Sequence, residues 1–440
     1  MGIRSSSDNK RSNWFLSIIL FLFIFFSNDT MMFGTNLNGT YVKIGFLVEV
    51  LLIGVFWGYM TFYQNALMKI SNQTVAVLVI WILCLMMSAV INSDFRGGYV
   101  TSLIMIIIGY LYSEYVSFHD FCLIFKRVGI FLAVCSVIGF ILTTVFPAFK
   151  NMGISVYRES GMLMKNYIVY ARAPYDATAA ARAFSIFREP GVFQAYLNVA
   201  LLIAVKYFDH TRKARELLGI FSLVIAIALT VSTTGFVVMI LVFLFFILSH
   251  RKEVNGDILG IVILIGCIAI VGAMIYLEFF SSINIDRFIN EKIMVKFDKG
   301  SDQYESGGAR VASLVANAVL WTRNPLFGVG ITAKQVQFNL VCKEIMNSIP
   351  NSDTNTIFAQ LSMHGIGVGL IWILGMLGLV RKAGVNFCTK IIVFAIILTL
   401  MMTEYFCYST ICNIWLIYGI RLIIDKSFYT DADHLREVTI

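Results

Sequence analysis

Apolar stretches of about 17–25 residues recur along most of this 440-residue chain, and that length restricts its fold more than any other feature. A helix needs roughly 20 apolar residues to cross a hydrocarbon core about 30 Å thick, because each residue rises only about 1.5 Å. Transmembrane barrels show alternating segments of about ten residues instead, and no such alternation runs through this sequence. Composition agrees, with 58% hydrophobic and 14% charged residues against roughly 25% charged in soluble domains. The mean hydropathy is +0.80. Lipid must be the solvent for most of such a surface. The sequence therefore predicts an all-α polytopic membrane protein, a single integral membrane domain over residues 1–440.

The apolar runs predict about twelve transmembrane helices, at 13–27, 44–64, 75–91, 99–118, 128–146, 190–208, 217–233, 235–249, 257–277, 355–379, 391–403 and 408–424. The Ser232-Thr233-Thr234-Gly235 break makes the seventh and eighth a tight hairpin. Arg4, Lys10 and Arg11 precede the first run, and no small-residue cleavage site follows it, which predicts an uncleaved signal anchor. With the N-terminus in the cytoplasm, Lys69, Lys126, Arg127, Arg212, Lys213, Arg215, Arg251, Lys252, Arg381, Lys382 and Lys390 fall on the cytoplasmic side. Arg421, Lys426 and Arg436 join them, while the short outer loops offer only Lys43 and Arg96. That asymmetry puts both termini in the cytoplasm of a bacterial inner membrane. The eight cysteines form no CxxC pair, so they read as small apolar helix residues and imply neither a disulfide framework nor a zinc site.

Two long segments, 147–189 and 278–354, fall on the outer side and are rich in lysine and arginine. Long loops translocate largely regardless of charge, and their aromatic and apolar residues predict folded caps. In the first, the run from Arg182 leads to Arg188, which lies just before Pro190, a residue suited to the opening position of a helix. A cation there opposes the helix dipole at a cost of about 0.3–1 kcal/mol. In the second, Val311, Leu314, Val315, Ala318 and Val319 form the stripe of an amphipathic helix headed by Arg310, immediately after Gly307-Gly308. A helix N-terminus with a guanidinium is poor for folding and good for holding phosphate. Two such places at the outer face suggest a lipid-linked pyrophosphate as ligand.

Each of these residues also has a purely structural explanation. Arg182 and Arg188 can anchor to lipid headgroups or pair with Asp176 and Glu189. Glu189 can be a helix N-cap or first-turn acid, and Arg310 a plain loop cation. Arg158, Arg172, Arg287 and Arg323 read as surface or headgroup contacts, and His364, in a glycine-rich helix, as a bond to a neighbouring helix. Glu49 and Glu404 are acids in or beside spans, which are functional candidates by default, although the sequence shows no partner for either.

The run RAFSIFREPGVFQAYLNVALL resembles the arginine-bearing loop of the O-antigen and capsule repeat-unit polymerase family. GGARVASLVANAVLWTRNPLFGVG resembles that family's second block, and NSDTNTIFAQLSMHGIGVGLI its third, where the chain re-enters the membrane. The three occur in the family's order over roughly 182 to 371. The resemblance implies a GT-C-like, membrane-embedded glycosyltransferase related to the O-antigen ligases, using undecaprenyl-diphosphate-linked oligosaccharides and no nucleotide, metal or other cofactor. It implies that Arg182 and Arg310 hold the donor diphosphate, with Arg188 as the extra arginine of the FREPG variant. A chain-length regulator protein and membrane lipid are the partners it implies, and no nucleic acid. The ligases' His-Asn pair is replaced here by Thr354-Asn355, which counts against a ligase.

Departure of a sugar from diphosphate builds charge on the leaving group, which fixed cations stabilise without a metal. The acceptor hydroxyl must lose a proton, and Glu189 or Asp353 is the expected catalytic acceptor. The competing expectations are an O-antigen ligase and a lipid-linked oligosaccharide flippase or transporter. Transporters usually show repeat symmetry and midplane charges, neither of which is evident here.

Overall fold

The computed structural model describes residues 6–34, 39–65, 70–158, 161–175, 182–249, 304–346, 353–383 and 386–425. The helix expected at 257–277 lies outside these residues, as do Asp176 and Arg287. The described chain is mostly helical and forms two compact units.

The first unit holds α1 (Ser6–Phe26), α2 (Met31–Gly34), α3 (Gly39–Gly58, continued by a π turn Tyr59–Tyr63), α6 (Phe118–Val145), α7 (Pro147–Met152), α8 (Pro190–Lys206), α9 (Lys213–Leu229) and α10 (Thr233–Ser249). Helix α6 starts ten residues before the expected position, because Ser117 caps it by accepting from the Asp120 N–H at 3.1 Å. The Lys126–Arg127 pair that read as a loop lies inside the helix. Lys126 is buried and donates to both Glu216 oxygens, at 3.2 and 3.0 Å, so its charge is answered within the unit. The hairpin between α9 and α10 turns at Val231, as the Ser232–Gly235 break suggested.

The described residues of the segment 147–189, expected as an outer cap, contain β1 (Ile154–Tyr157), β2 (Leu163–Asn166) and β3 (Ala171–Arg172), an antiparallel sheet in sequential order. Its register pairs Ile154 with Asn166 and Lys165 with Arg172. Val156, Met164 and Ala171 from the sheet pack with Met31 and Phe184, which ties the cap to α2 and to the arginine-bearing run.

The second unit holds α4 (Asn72–Ile91), α5 (Gly97–Tyr115), α11 (Tyr304–Arg323), α12 (Ile331–Met346), α13 (Thr356–His364), α14 (Ile366–Ala383), α15 (Phe387–Thr403) and α16 (Thr410–Ile424). The single helix expected at 355–379 is broken at Gly365, which has φ +80°. The break follows from a tertiary insertion. The turn 324–330 enters it, with Val329 N–H donating to Ser362 O at 2.9 Å and Ile366 N–H to Pro325 O at 2.8 Å. Backbone groups freed by the break are thus satisfied inside the protein, which is the condition for irregular chain at membrane depth. Asp94, between α4 and α5, caps α12 by accepting from the Thr332 N–H at 2.8 Å and its hydroxyl at 2.6 Å. Burial raises the Asp94 carboxyl, but these hydrogen bonds outweigh it and the net direction is down.

Among the described residues, four helical segments are long and apolar enough to cross a membrane: Gly39–Tyr63, Asn72–Ile91, Phe118–Val145 and Ile366–Ala383. The pair Pro190–Lys206 and His210–Leu229, bent by 105°, makes a fifth if it counts as one span. A mostly helical chain with four or five candidate spans is consistent with an all-α membrane protein.

Candidate functional site

In the first unit, the run 182–189 is braced from two sides. The Ala183 N–H donates to Leu229 O at 2.8 Å, and Arg182 Nε to Thr230 O at 3.0 Å. Thr230 is the C-cap of α9, so this guanidinium stands at the negative end of a helix, worth about 0.3–1 kcal/mol. On the other side, the Met31 N–H donates to Ile186 O at 2.9 Å and the Arg188 N–H to Asp29 O at 3.0 Å. The Asp29 carboxylate is buried and accepts from the Tyr196 hydroxyl at 2.5 Å. Arg182 and Arg188 are both half-buried. Neither belongs to a loose loop.

Pro190 opens α8, as its position in the sequence implied, and Glu189 occupies the N-cap position. Its side chain makes no capping bond; it pairs with Arg158 Nη2 at 3.4 Å, with 46% of the Glu189 side chain exposed. The half-open pair itself is worth at most about 1 kcal/mol, but the Arg158 side chain is mostly buried, so Arg158→Ala also removes packing and is expected to lower the melting temperature of the purified protein by a few degrees.

In the second unit, Arg310 does not head its helix. Helix α11 starts at Tyr304 and runs through Gly307-Gly308, so Arg310 lies beyond the first turn and its amide donors. Glycine in a helix costs about 1 kcal/mol, yet the helix runs through both glycines. Arg310, Ser313 and Asn317 share one face of α11 by their i, i+3, i+7 spacing. That face carries two ion pairs. Arg310 Nη2 lies 3.8 Å from Glu404 Oε1, with the arginine side chain 34% exposed and the glutamate 5%.

The second is Lys334 with Asp353, both buried. Asp353 Oδ1 also accepts from Ser313 Oγ at 2.5 Å, Asn317 Nδ2 at 3.0 Å and the Asn355 N–H at 3.3 Å, while Lys334 takes Oδ2. Both carboxylate oxygens are therefore engaged. Burial pulls the Lys334 ammonium below the usual lysine range. Asn355 caps α13 by accepting from the Phe358 N–H at 2.9 Å. His364 ends that helix with its ring edge-on to Tyr99, centroids 5.4 Å apart.

Lys334 and the Glu404 partner were missed in the sequence. The signal for Lys334 is its place on the α12 stripe with Phe338, Val341 and Cys342, all buried; a lysine on an apolar stripe needs a counter-ion. Arg421, which read as a cytoplasmic-side cation, is buried in α16 and pairs with Glu114 Oε1 at 3.5 Å and Ser113 O at 2.5 Å.

Comparison with known proteins finds no family model that matches the chain and no curated protein similar to it. Function rests on the geometry and on the resemblance of the three motif blocks.

Proposed function

We propose that this chain joins polyprenyl-diphosphate-linked oligosaccharide repeat units into O-antigen or capsule at the outer face of the bacterial inner membrane. In this reading it is a metal-independent, GT-C-like glycosyltransferase with about twelve spans and both termini in the cytoplasm. The observation that carries it is Arg310. In a chain with only 14% charged residues, a guanidinium one-third exposed faces an acid, on the helix whose Ser313 and Asn317 bond the buried Lys334–Asp353 pair. An arginine so placed can turn its fork to a diphosphate and offset the charge that grows as the sugar departs. Arg182 and Arg188, braced in the first unit, supply the same chemistry.

Deleting the gene and running surface polysaccharide on a gel tests this reading. A lost polymerase leaves lipid A–core capped by one repeat unit when the product is lipopolysaccharide. Arg182→Ala is expected to reproduce that pattern with normal protein levels, since its lost helix-end contact is too small to unfold the chain; Arg310→Lys, which keeps a cation beside the buried Glu404 but loses the bidentate fork, is expected to shorten the ladder. An unchanged ladder in both variants would remove the diphosphate role.

Two observations favour a second reading, a lipid-linked oligosaccharide transporter. Discontinuous helices such as the one broken at Gly365, and buried ionisable pairs such as Arg421–Glu114, are common in transporters. Loss of a flippase, or of a ligase, leaves bare core on the same gel.

A further inference from the structure

We propose that the outer surface of the α6–α9 seam binds an anionic phospholipid, with Arg127 and Arg215 holding its headgroup phosphate. The inference goes beyond the polymerase reading and does not depend on it. It needs only a chain that sits in a bilayer.

The Lys126–Glu216 pair fixes the register of the two helices. One turn further on, a Cβ at Gly219 would fall 2.8 Å from Ile130 Cδ1, so α6 and α9 run side by side in the same direction. Arg127 follows the lysine of that pair and Arg215 precedes the glutamate. On parallel helices these two positions flank the same side of the seam at the same height. Both side chains are exposed, and they lie within electrostatic reach of each other and of Arg212.

Nearby acids are already engaged. Lys126 takes both Glu216 oxygens. Asp209 accepts from the Thr211 N–H and hydroxyl and lies 3.7 Å from Arg212. Asp120 attracts Arg127 but already accepts from the Ser117 hydroxyl at 2.8 Å. Among the described residues, neither Arg127 nor Arg215 has an ion-pair partner.

Along the same face of α6, Phe131, Val134, Ile138 and Ile141 follow Arg127 at i+4, i+7, i+11 and i+14, and all are exposed. Leu218, one turn after Arg215, is exposed on α9. Helix α6 is one of the segments fit to cross a membrane, so this stripe faces acyl chains. Two guanidinium groups at the head of an apolar stripe match one molecule with a phosphate head and hydrocarbon tails. A soluble phosphate would engage the cations and leave the stripe bare. A zwitterionic lipid would cover the stripe but bring its own cation to the arginines.

Thermal unfolding of the full-length protein in detergent tests this, with phosphatidylglycerol, phosphatidylcholine or inorganic phosphate added. Phosphatidylglycerol is expected to raise the wild-type melting temperature by several degrees more than phosphatidylcholine, because a ligand of the folded state stabilises it. Arg127→Gln/Arg215→Gln is expected to lose that difference. Lys43→Gln/Lys343→Gln removes two exposed cations elsewhere and is expected to keep it. In competition read by native mass spectrometry, the wild type is expected to favour phosphatidylglycerol roughly 25-fold, at about five-fold per cation. No preference in the wild type, a preference that survives Arg127→Gln/Arg215→Gln, or one lost equally in the lysine control overturns the assignment. Inorganic phosphate that stabilises as much as phosphatidylglycerol also overturns it, since the site would then take a soluble anion. If the double arginine variant does not accumulate, the single variants replace it: a reduced preference in each supports the site, and an unchanged one in both refutes it.

Discussion

Replacing Gly378 by leucine is expected to remove the protein from the membrane fraction. Helices α14 and α16 pack backbone to backbone in the second unit. A Cβ added at Gly378 would fall onto the Gly419 carbonyl oxygen, and one added at Gly419 onto the Gly375 carbonyl oxygen, both well inside contact distance. Backbone atoms cannot swing aside as the end of a flexible side chain can, so the helices must separate along their length. In lipid there is little hydrophobic gain to hold separated helices together, because association there depends on close van der Waals contact between small residues. Even Gly378→Ala should cost about 1–3 kcal/mol, the usual penalty of overpacking. Gly54 in α3 is the control, since a Cβ there meets nothing within 4 Å. Gly54→Ala should stay within about 0.5 kcal/mol of wild type. Size-exclusion profiles and thermal unfolding of the purified variants measure the contrast, and a monodisperse Gly378→Leu protein melting near wild type would refute the packing argument.

The same helices show what apolar periodicity reveals and what it conceals. Runs of uniform hydropathy bounded by caps or turns were legible: α4, α8, α10 and α15 lie within a few residues of their expected positions. Capping explains this, since Ser71 accepts from the Thr74 N–H and Asn386 from the Thr389 N–H, both local signals. Features imposed by distant residues were not legible. Lys126 and Arg127 looked like a cytoplasmic loop because Glu216, 90 residues away, cannot be paired with Lys126 by eye. The break at Gly365 needs the turn 324–330 to occupy it. The strands of the outer cap are only two to four residues long, too short to show a period.

At the site the division is similar. Pro190 announced the start of α8, whereas the glycine pair before Arg310 suggested a helix start, and α11 is already helical from Tyr304. Asp353 stood out as an acid in a motif block, but its partner Lys334 lies on another helix with no local mark except its apolar stripe. Glu404 was visible as an acid beside a span. Only the fold brings Arg310 to it.

Lys334→Met and Asp353→Asn are each expected to destabilise the protein by about 3–5 kcal/mol, and the two together by much less. Each single change leaves one member of a buried pair without its main counterpart, and burial leaves no water to replace it. Lys334→Met leaves the Asp353 carboxylate with Ser313, Asn317 and the Asn355 amide as donors. Asp353→Asn leaves an ammonium against the Phe338 and Tyr405 rings, 5.1 and 5.4 Å from their centroids; cation–π contact returns only about 0.5–2 kcal/mol. The double variant has no buried charge at this pair, and the side-chain amide that Asp353→Asn introduces keeps a carbonyl oxygen to accept from the Ser313 hydroxyl. A double-mutant cycle on thermal unfolding measures the coupling, and additive losses would show that the two residues do not act as a pair.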